Sequence, residues 1–380
     1  MPRSDALRVH VLIDSLGMGG AEFLLGEFAA GTGAAGIELS VGYLHERSDD
    51  RARRRLRERG IEPVHVPVSS LVAPDGHQRV RGHLRSVGPD VLHTHLGTSD
   101  FLGGLAARSL RLPAVSTVHV MEWPRDRRND VKVKLISAVR RRCMARVIAV
   151  SEPAGRWLLE HRWAHRGQLV TVHNGVAGVP RPGAGRAVRR ELGIPDDALV
   201  VTMLAVLRHP KGHDVAIPAV ARLRARFPGV HLLIVGDGEA RGSLEALAAD
   251  GGGVTLAGHR DDVMEVLDAS DVLLHPSRID AFPGALLEAM AARVPVVATA
   301  VGGIPDILQH DVTGVLVPPP PEPDALAAAL APLLADAELR SALGERGRLR
   351  FEREFSAEQW VANMRAVYED VLHDRGVEAA

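Results

Sequence analysis

The run LHPSRIDAFPGALLEAMAARVPVVAT, Leu274 to Thr299, constrains the fold more than any other stretch. It reads as strand, tight loop, helix, strand. Asp271-Val272-Leu273-Leu274 is the apolar first strand, and Pro276-Ser277 ends it. Pro283 and Gly284 open the helix, where a fixed φ and a missing donor suit a first turn. Leu286, Leu287 and Met290 give an apolar stripe at helical spacing. Val294 to Ala298 is the second strand. A helix that starts at the carboxyl edge of a parallel sheet offers free N–H groups and a positive dipole end, and anions bind there. Asp280 precedes the helix and Glu288 lies one turn inside it. With no third ligand beside them they suit hydroxyl groups, as on a sugar and a ribose, better than a metal. The alternative is two solvated acids on an ordinary surface.

The chain has 380 residues, 46% of them hydrophobic, which is enough for two domains. A formal net charge of -1 argues against a nucleic-acid binder that works through bulk charge. A single cysteine, Cys143, excludes an intrachain disulfide and favours a reducing compartment. No apolar run reaches the length of a membrane span. The opening MPRSDALRVHVLIDSLG passes into a strand without a signal-peptide pattern, so a cytoplasmic protein is expected.

Strands and helices alternate through both halves, which implies parallel sheets with crossover helices. In the first half the strands are Arg8–Ile13, Leu39–Tyr43, Ile61–Val66, Val91–His95, Pro113–Val118, Val147–Val150 and Leu169–Val172. The first is followed by Gly17-Met18-Gly19-Gly20-Ala21-Glu22 and a helix, an arrangement that can cradle an anion. Glu22 stands where a dinucleotide fingerprint needs its third glycine. His93 and His95 share a strand face, and His119 closes the next strand, where doubly wound sheets place ligands. Val120 to Asp130 lacks periodicity and reads as a mobile loop. Val131 to Arg146 reads as an amphipathic helix rich in cations, either a solvated face or a contact for anionic lipid. The Pro- and Gly-rich segment Val176 to Ala187 reads as an interdomain hinge. The second half restarts with Leu199–Leu204, then Arg208 to Asp214, where Arg208 and Lys211 suit a diphosphate. Strands at Val230–Val235, Val254–Gly258 and Val315–Val317 complete it, followed by helices at Pro323–Ala335, Ala337–Phe355 and Ala357–Leu372.

The Leu274 to Thr299 stretch resembles the Glu, seven residues, Glu signature of retaining glycosyltransferases of the GT-B fold, family 4. The usual form is P-S-x-x-E-G-F-P-x-x-x-x-E-A-M-A-x-G-x-P-V-V-A. Departures inside it include Asp280 for the first Glu, and Arg293 for a helix-ending Gly, which alters the helix cap. Further motifs resemble the same family in order. They are the G-x-G-G-A-E loop at Gly19 and Gly20, T-V-H at His119, His173-Asn174-Gly175, Lys211-Gly212, the G-x-R-x-D-V segment at Arg260, and Gly302-Gly303-Ile304-Pro305-Asp306. The family's R-x-x-x-x-K-G element has its Arg where this chain has Val206, so Arg208 is expected to supply that charge.

The resemblance implies two facing Rossmann-like domains with a cleft between them. Residues 1–176, joined by a C-terminal helix 357–380, would hold the acceptor, and residues 177–356 a nucleotide-diphosphate sugar. It implies retaining transfer to an acceptor hydroxyl without a metal. The site would comprise His119, Arg208, Lys211 and Asp280 for chemistry. Donor contacts would come from Gly19, Gly20, Arg208, Lys211, Arg260, Asp280, Phe282, Pro283, Gly284, Ala285, Leu286 and Glu288. The acceptor would be a glycan, a lipid-linked or a small molecule, with peripheral membrane contact through Val131–Arg146 in the lipid case. A nucleotide-sugar 2-epimerase of the same architecture and a non-catalytic sugar-nucleotide sensor are the alternatives.

Overall fold

The structure is a computed structural model that describes residues 6–17, 19–72, 75–119, 127–249 and 252–378. The chain divides into two compact units, residues 1–177 with 356–380, and residues 178–355.

The first unit is built on seven strands: β1 Leu7–Ser15, β2 Ile37–His45, β3 Val64–His65, β4 Val91–His95, β5 Ala114–Val118, β6 Arg146–Ala149 and β7 Leu169–Thr171. Their order is β3-β2-β1-β4-β5-β6-β7, and every pairing is parallel. The central strands β4 and β5 are buried along their whole length, as parallel strands covered by helices on both faces are. Only Val64 and His65 of the expected strand Ile61–Val66 pair with β2. Both are exposed at the sheet edge, so little burial fixes a longer strand.

The helix Ala357–Glu378 packs on this unit. Trp360 meets Phe28 edge to face at 5.0 Å, and Val361, Met364, Val367, Tyr368 and Val371 are buried with it. Val176 bridges Ser356 where the chain re-enters the unit.

The second unit has six parallel strands: β8 Leu199–Leu204, β9 Val230–Val235, β10 Val254–Gly258, β11 Val272–His275, β12 Val296–Thr299 and β13 Val315–Val317. Their order is β10-β9-β8-β11-β12-β13. Its core runs from Val201, Ile234 and Leu274 to Leu326 and Leu330 of the helix Pro323–Ala335. The helix Ala337–Glu354 begins at Asp336, whose carboxylate accepts from Glu338 and Leu339 N–H at 2.9 and 3.0 Å, satisfying free donors of the first turn.

In each sheet the order reverses once, between β1 and β4 and between β8 and β11. Loops leaving neighbouring strands diverge there, and a ligand crevice opens at the carboxyl ends. Gly19 and Gly20 follow β1 at the first point, and Lys211 and Asp280 follow β8 and β11 at the second.

The cationic helix spans Arg127–Cys143, and Arg146 belongs to β6. That corrects the expected helix Val131–Arg146 at both ends. Of the expected loop Val120 to Asp130, residues 120–126 lie outside the described residues, and the helix takes the rest. Arg146 pairs with Asp370 and Asp374 at 2.6 and 2.7 Å, and buried Arg140 pairs with buried Asp100. Neither cation is free for lipid. Val131, Lys132, Lys134, Leu135 and Arg142 are exposed.

Candidate active site

In the second unit the loops after β8 and β11 meet. Lys211 Nζ lies 2.6 Å from Asp280 Oδ2. His275 Nε2 lies 3.0 Å from the same oxygen, and Ser277 Oγ 3.0 Å from His275 Nε2. Burial alone would raise the Asp280 carboxyl. The hydrogen bond from His275 and the charge of Lys211 outweigh it and hold the pKa at about 2. Burial also lowers the His275 imidazole, so it is neutral and donates to Asp280. The result is a fixed carboxylate with one oxygen tied down. The sequence reading does not single out His275 and Ser277; their only signal is a His closing a strand two residues before a Ser and five before an Asp.

Backbone packing places this pair. Gly212 has φ +73, and a Cβ there would fall 2.0 Å from the Pro276 carbonyl oxygen. Gly302 has φ +50, and a Cβ there would fall 1.7 Å from the Asp280 carbonyl oxygen, which accepts from Gly303 N–H at 3.1 Å. Both glycines allow a close approach that no side chain permits. Arg278 clamps the two loops: it forks onto Asp214 with two 2.8 Å bonds and donates to the His209 carbonyl.

The helix Gly284–Ala291 follows with Pro283 as its N-cap. The sequence reading sets Pro283 inside the first turn; its extended ψ of 120° puts it one residue before. Leu286 N–H turns back to the Pro283 carbonyl at 3.3 Å. Gly284 and Ala285 therefore supply the free donors at the positive end. Phe282 is buried 5.9 Å from Phe355, edge to face, so its ring anchors the loop and only its backbone can meet a ligand. Leu286 is fully buried, and Glu288 is half-buried on the same helix. Arg293 takes the left-handed conformation, φ +61, that a glycine would occupy, and its guanidinium reaches Glu345 at 2.6 Å.

Arg208 is exposed beside Lys211 as N-cap of the short turn His209–Lys211. Val206 is 37% exposed next to it. Arg260 is held on both sides: Glu191 accepts two bonds at 2.7 and 3.0 Å, and Asp262 two at 2.8 and 2.6 Å. Its side chain is thus held inside the unit, and the expected donor contact of this segment is one of backbone.

The first unit contributes a separate cluster. Asp14, near the end of β1, accepts from Thr98 and Ser99 N–H at 2.9 and 2.6 Å and caps the helix Gly97–Leu110. Gly19 caps the helix Gly20–Thr32, and a Cβ on it would strike the Glu22 carboxylate at 2.0 Å. A Cβ on Gly20 would meet nothing within 4 Å, so the backbone there is open to a ligand. Burial raises the Glu22 carboxyl. His119 Nε2 lies 2.8 Å from His95 Nδ1, and His93 is bonded to Tyr368 and Thr117 at 2.8 Å each. Burial lowers the pKa of His119 to about 4 and that of His93 to about 3. His119 lines a cavity of about 130 Å³ with Leu96, Thr117 and Ile136.

Among the described residues no group of three or more His, Cys, Asp or Glu side chains is arranged to hold a metal, and no helix is long and apolar enough to cross a membrane.

Residues 186–350 match the family model for glycosyl transferases group 1, and residues 18–177 that for glycosyltransferase family 4. A D-inositol 3-phosphate glycosyltransferase of Corynebacterium glutamicum is 30% identical over 311 residues, covering 76% of this chain and 74% of its own length. The enzyme of that name from Geodermatophilus obscurus is 32% identical over 302 residues, covering 73% and 66%. Anabaena HepE, solved with UDP and glucose, superimposes with a TM-score of 0.82 at 20% identity, covering 95% of this chain and 99% of that one.

Proposed function

Because the chain belongs to the family 4 glycosyltransferases, with the two Rossmann-like domains of the GT-B fold, we propose that its second unit binds a nucleotide-diphosphate sugar and that the sugar passes to an acceptor hydroxyl with retention of configuration. The observation that carries this reading is the meeting of Lys211 and Asp280 at 2.6 Å where the sheet order reverses.

Leaving-group charge grows at the diphosphate during transfer. Lys211 and Arg208 stand on one loop to meet it, and the N–H groups of Gly284 and Ala285 face the same end of the unit's sheet. Fixed donors aimed where charge develops lower the barrier without reorganisation. This arrangement supplies what a metal would otherwise supply, so we propose transfer without one. Asp280, ionised and with one oxygen tied to Lys211 and His275, presents the other to a sugar hydroxyl. It is a residue of orientation, not a covalent nucleophile. Glu288 takes the ribose hydroxyls. Backbone of Phe282 and Pro283 meets the sugar, and backbone near Arg260 meets the base. For the first unit, the family resemblance assigns Gly19 and Gly20 to the diphosphate and His119 to the sugar or the attacking hydroxyl. A leaving-group oxygen then takes the acceptor's proton.

The relatives' name supports a phosphorylated polyol as the first acceptor class to try, ahead of glycans and lipid-linked acceptors. For the lipid case the exposed residues Val131, Lys132 and Leu135 give the contact, and sedimentation with anionic vesicles checks it.

Two measurements test the site. Glu288→Ala weakens nucleotide binding by roughly ten- to a hundredfold, the worth of a hydrogen bond to a charged group; unchanged affinity by calorimetry rejects the ribose role. Product NMR on the first active donor reads the anomer directly, and an inverted anomer rejects retention.

A further inference from the structure

We infer that His95 is a positioning residue that holds His119 in its Nδ1–H tautomer, so that His119 meets the substrate as a hydrogen-bond donor and not as a base. The inference rests on His119 being a site residue of the transferase proposed above.

His95 Nδ1 and His119 Nε2 lie 2.8 Å apart, with rings 19° from parallel. Two neutral imidazoles share one proton across such a contact. If His119 Nε2 carries it, His95 Nδ1 accepts, and the His95 proton moves to Nε2. That atom is buried without a hydrogen-bond partner, so an N–H would be sealed away unsatisfied. If His95 Nδ1 carries the proton, the orphan is a bare lone pair. Buried orphan N–H groups are the rarer case. The second arrangement therefore holds, and it leaves His119 with its own proton on Nδ1.

A doubly protonated ring does not rescue the first arrangement. The groups facing His95 are His93 and His119, and no carboxylate among the described residues contacts it. Both nitrogens of His93 are used by the hydroxyls of Tyr368 and Thr117. Burial keeps all three rings neutral.

The backbone aims the pair. Leu96, directly after His95, has φ +74, a strained conformation for a non-glycine residue. Asp14 holds it there through Thr98 and Ser99, and Ser99 Oγ donates to the His95 carbonyl. His119 Nδ1 has no protein partner among the described residues, and the ring lines the 130 Å³ cavity. Its N–H is thus free to donate to a ligand oxygen, whether a sugar hydroxyl or the departing phosphate.

The test uses the full chain labelled with ¹⁵N-histidine. Long-range ¹H–¹⁵N spectra at pH 7, assigned with His119→Gln and His95→Gln, distinguish the tautomers. The expected spectrum shows protonated Nδ1 and bare Nε2 for both rings. A protonated Nε2 on His119 overturns the inference. Kinetics give a second arm. His95→Asn keeps an N–H where Nδ1 stood and retains turnover within about threefold, whereas His95→Leu loses about tenfold in kcat with nucleotide affinity unchanged, the worth of one neutral hydrogen bond. Equal losses in both, or full activity of His95→Leu, also overturn it. The spectra are readable without any turnover, so failure of the transferase reading and failure of the tautomer assignment are told apart.

Discussion

Asp280 is one methylene shorter than the Glu of the family pattern, and its surroundings make up the distance. His275 and Lys211 both come to one carboxylate oxygen, at 3.0 and 2.6 Å. The carboxyl therefore titrates at about 2 instead of 3.8. A depressed carboxyl contributes stability that is complete above its unfolded value and lost as pH falls through the folded one. The shift corresponds to about 2 kcal/mol. Asp280→Asn is expected to be less stable than the parent by about that amount from pH 5 to 8, with the gap narrowing as pH drops from about 4 toward 2. Urea titrations at pH 7, 4 and 3 follow it; a gap independent of pH rejects the ionised cluster. The same variant separates charge from shape in turnover, because Asn still accepts from a sugar hydroxyl while releasing Lys211.

The loops between elements carry the chemistry, and their precision comes from glycines. Gly302→Ala places a methyl 1.7 Å from the Asp280 carbonyl oxygen in a left-handed conformation. It is expected to cost roughly 2–3 kcal/mol and to lower turnover, since Asp280 must shift; a Tm within a degree of the parent contradicts that packing. The positions of these loops explain how much of the fold is legible in the sequence. Strands β8, β9 and β10 fall on the expected residues because each is mostly apolar and rich in β-branched residues, with Gly229, Gly236 and Gly253 punctuating the last two. The helices Gly76–Val87 and Arg241–Ala249 escape a sequence reading because each buries few apolar side chains, Val80 and Leu84 in the first and Leu244 in the second. Lys211, Asp280 and Glu288 are readable as types at a spacing. His275 under Asp280, Arg278 across Asp214, and His95 behind His119 are not, because those contacts depend on how loops and strands come together and no local period reports them. The pairing of Arg260 with Glu191 is hidden in the same way, because only the fold brings the two together.

At the scale of the whole chain the two units differ in their response to acid. The first holds His10, His83, His93, His95 and His119, and the second His213, His231 and His275, all lowered below 6.5 by burial. In each case the unfolded state takes up its proton first. Stability is then undiminished above pH 6.5 and falls as pH drops below it, by about 2 kcal/mol at pH 5 for each of His10, His93, His119 and His213, whose folded values lie at about 3 to 4. The first unit is therefore expected to lose more stability than the second between pH 6 and 5, which hydrogen exchange at the two sheets resolves; an equal loss contradicts the difference. The final helix matters in the same way. Its buried Trp360, Val361, Met364, Val367, Tyr368 and Val371 contribute roughly 10 kcal/mol, as much as a domain's whole stability. Residues 178–355 expressed alone are expected to fold, whereas residues 1–177 without the helix are not, as far-UV dichroism and urea titration will show.

The most direct measurement is donor turnover without acceptor, slow hydrolysis of a panel of UDP-, GDP- and ADP-sugars, by the parent and by Lys211→Ala. The site predicts that one nucleotide sugar is hydrolysed, and that Lys211→Ala loses more in turnover than in donor binding, because the charge met by Lys211 grows in the transition state. Donor epimerised without hydrolysis, binding without turnover when acceptors are also supplied, or equal losses in turnover and binding would contradict it.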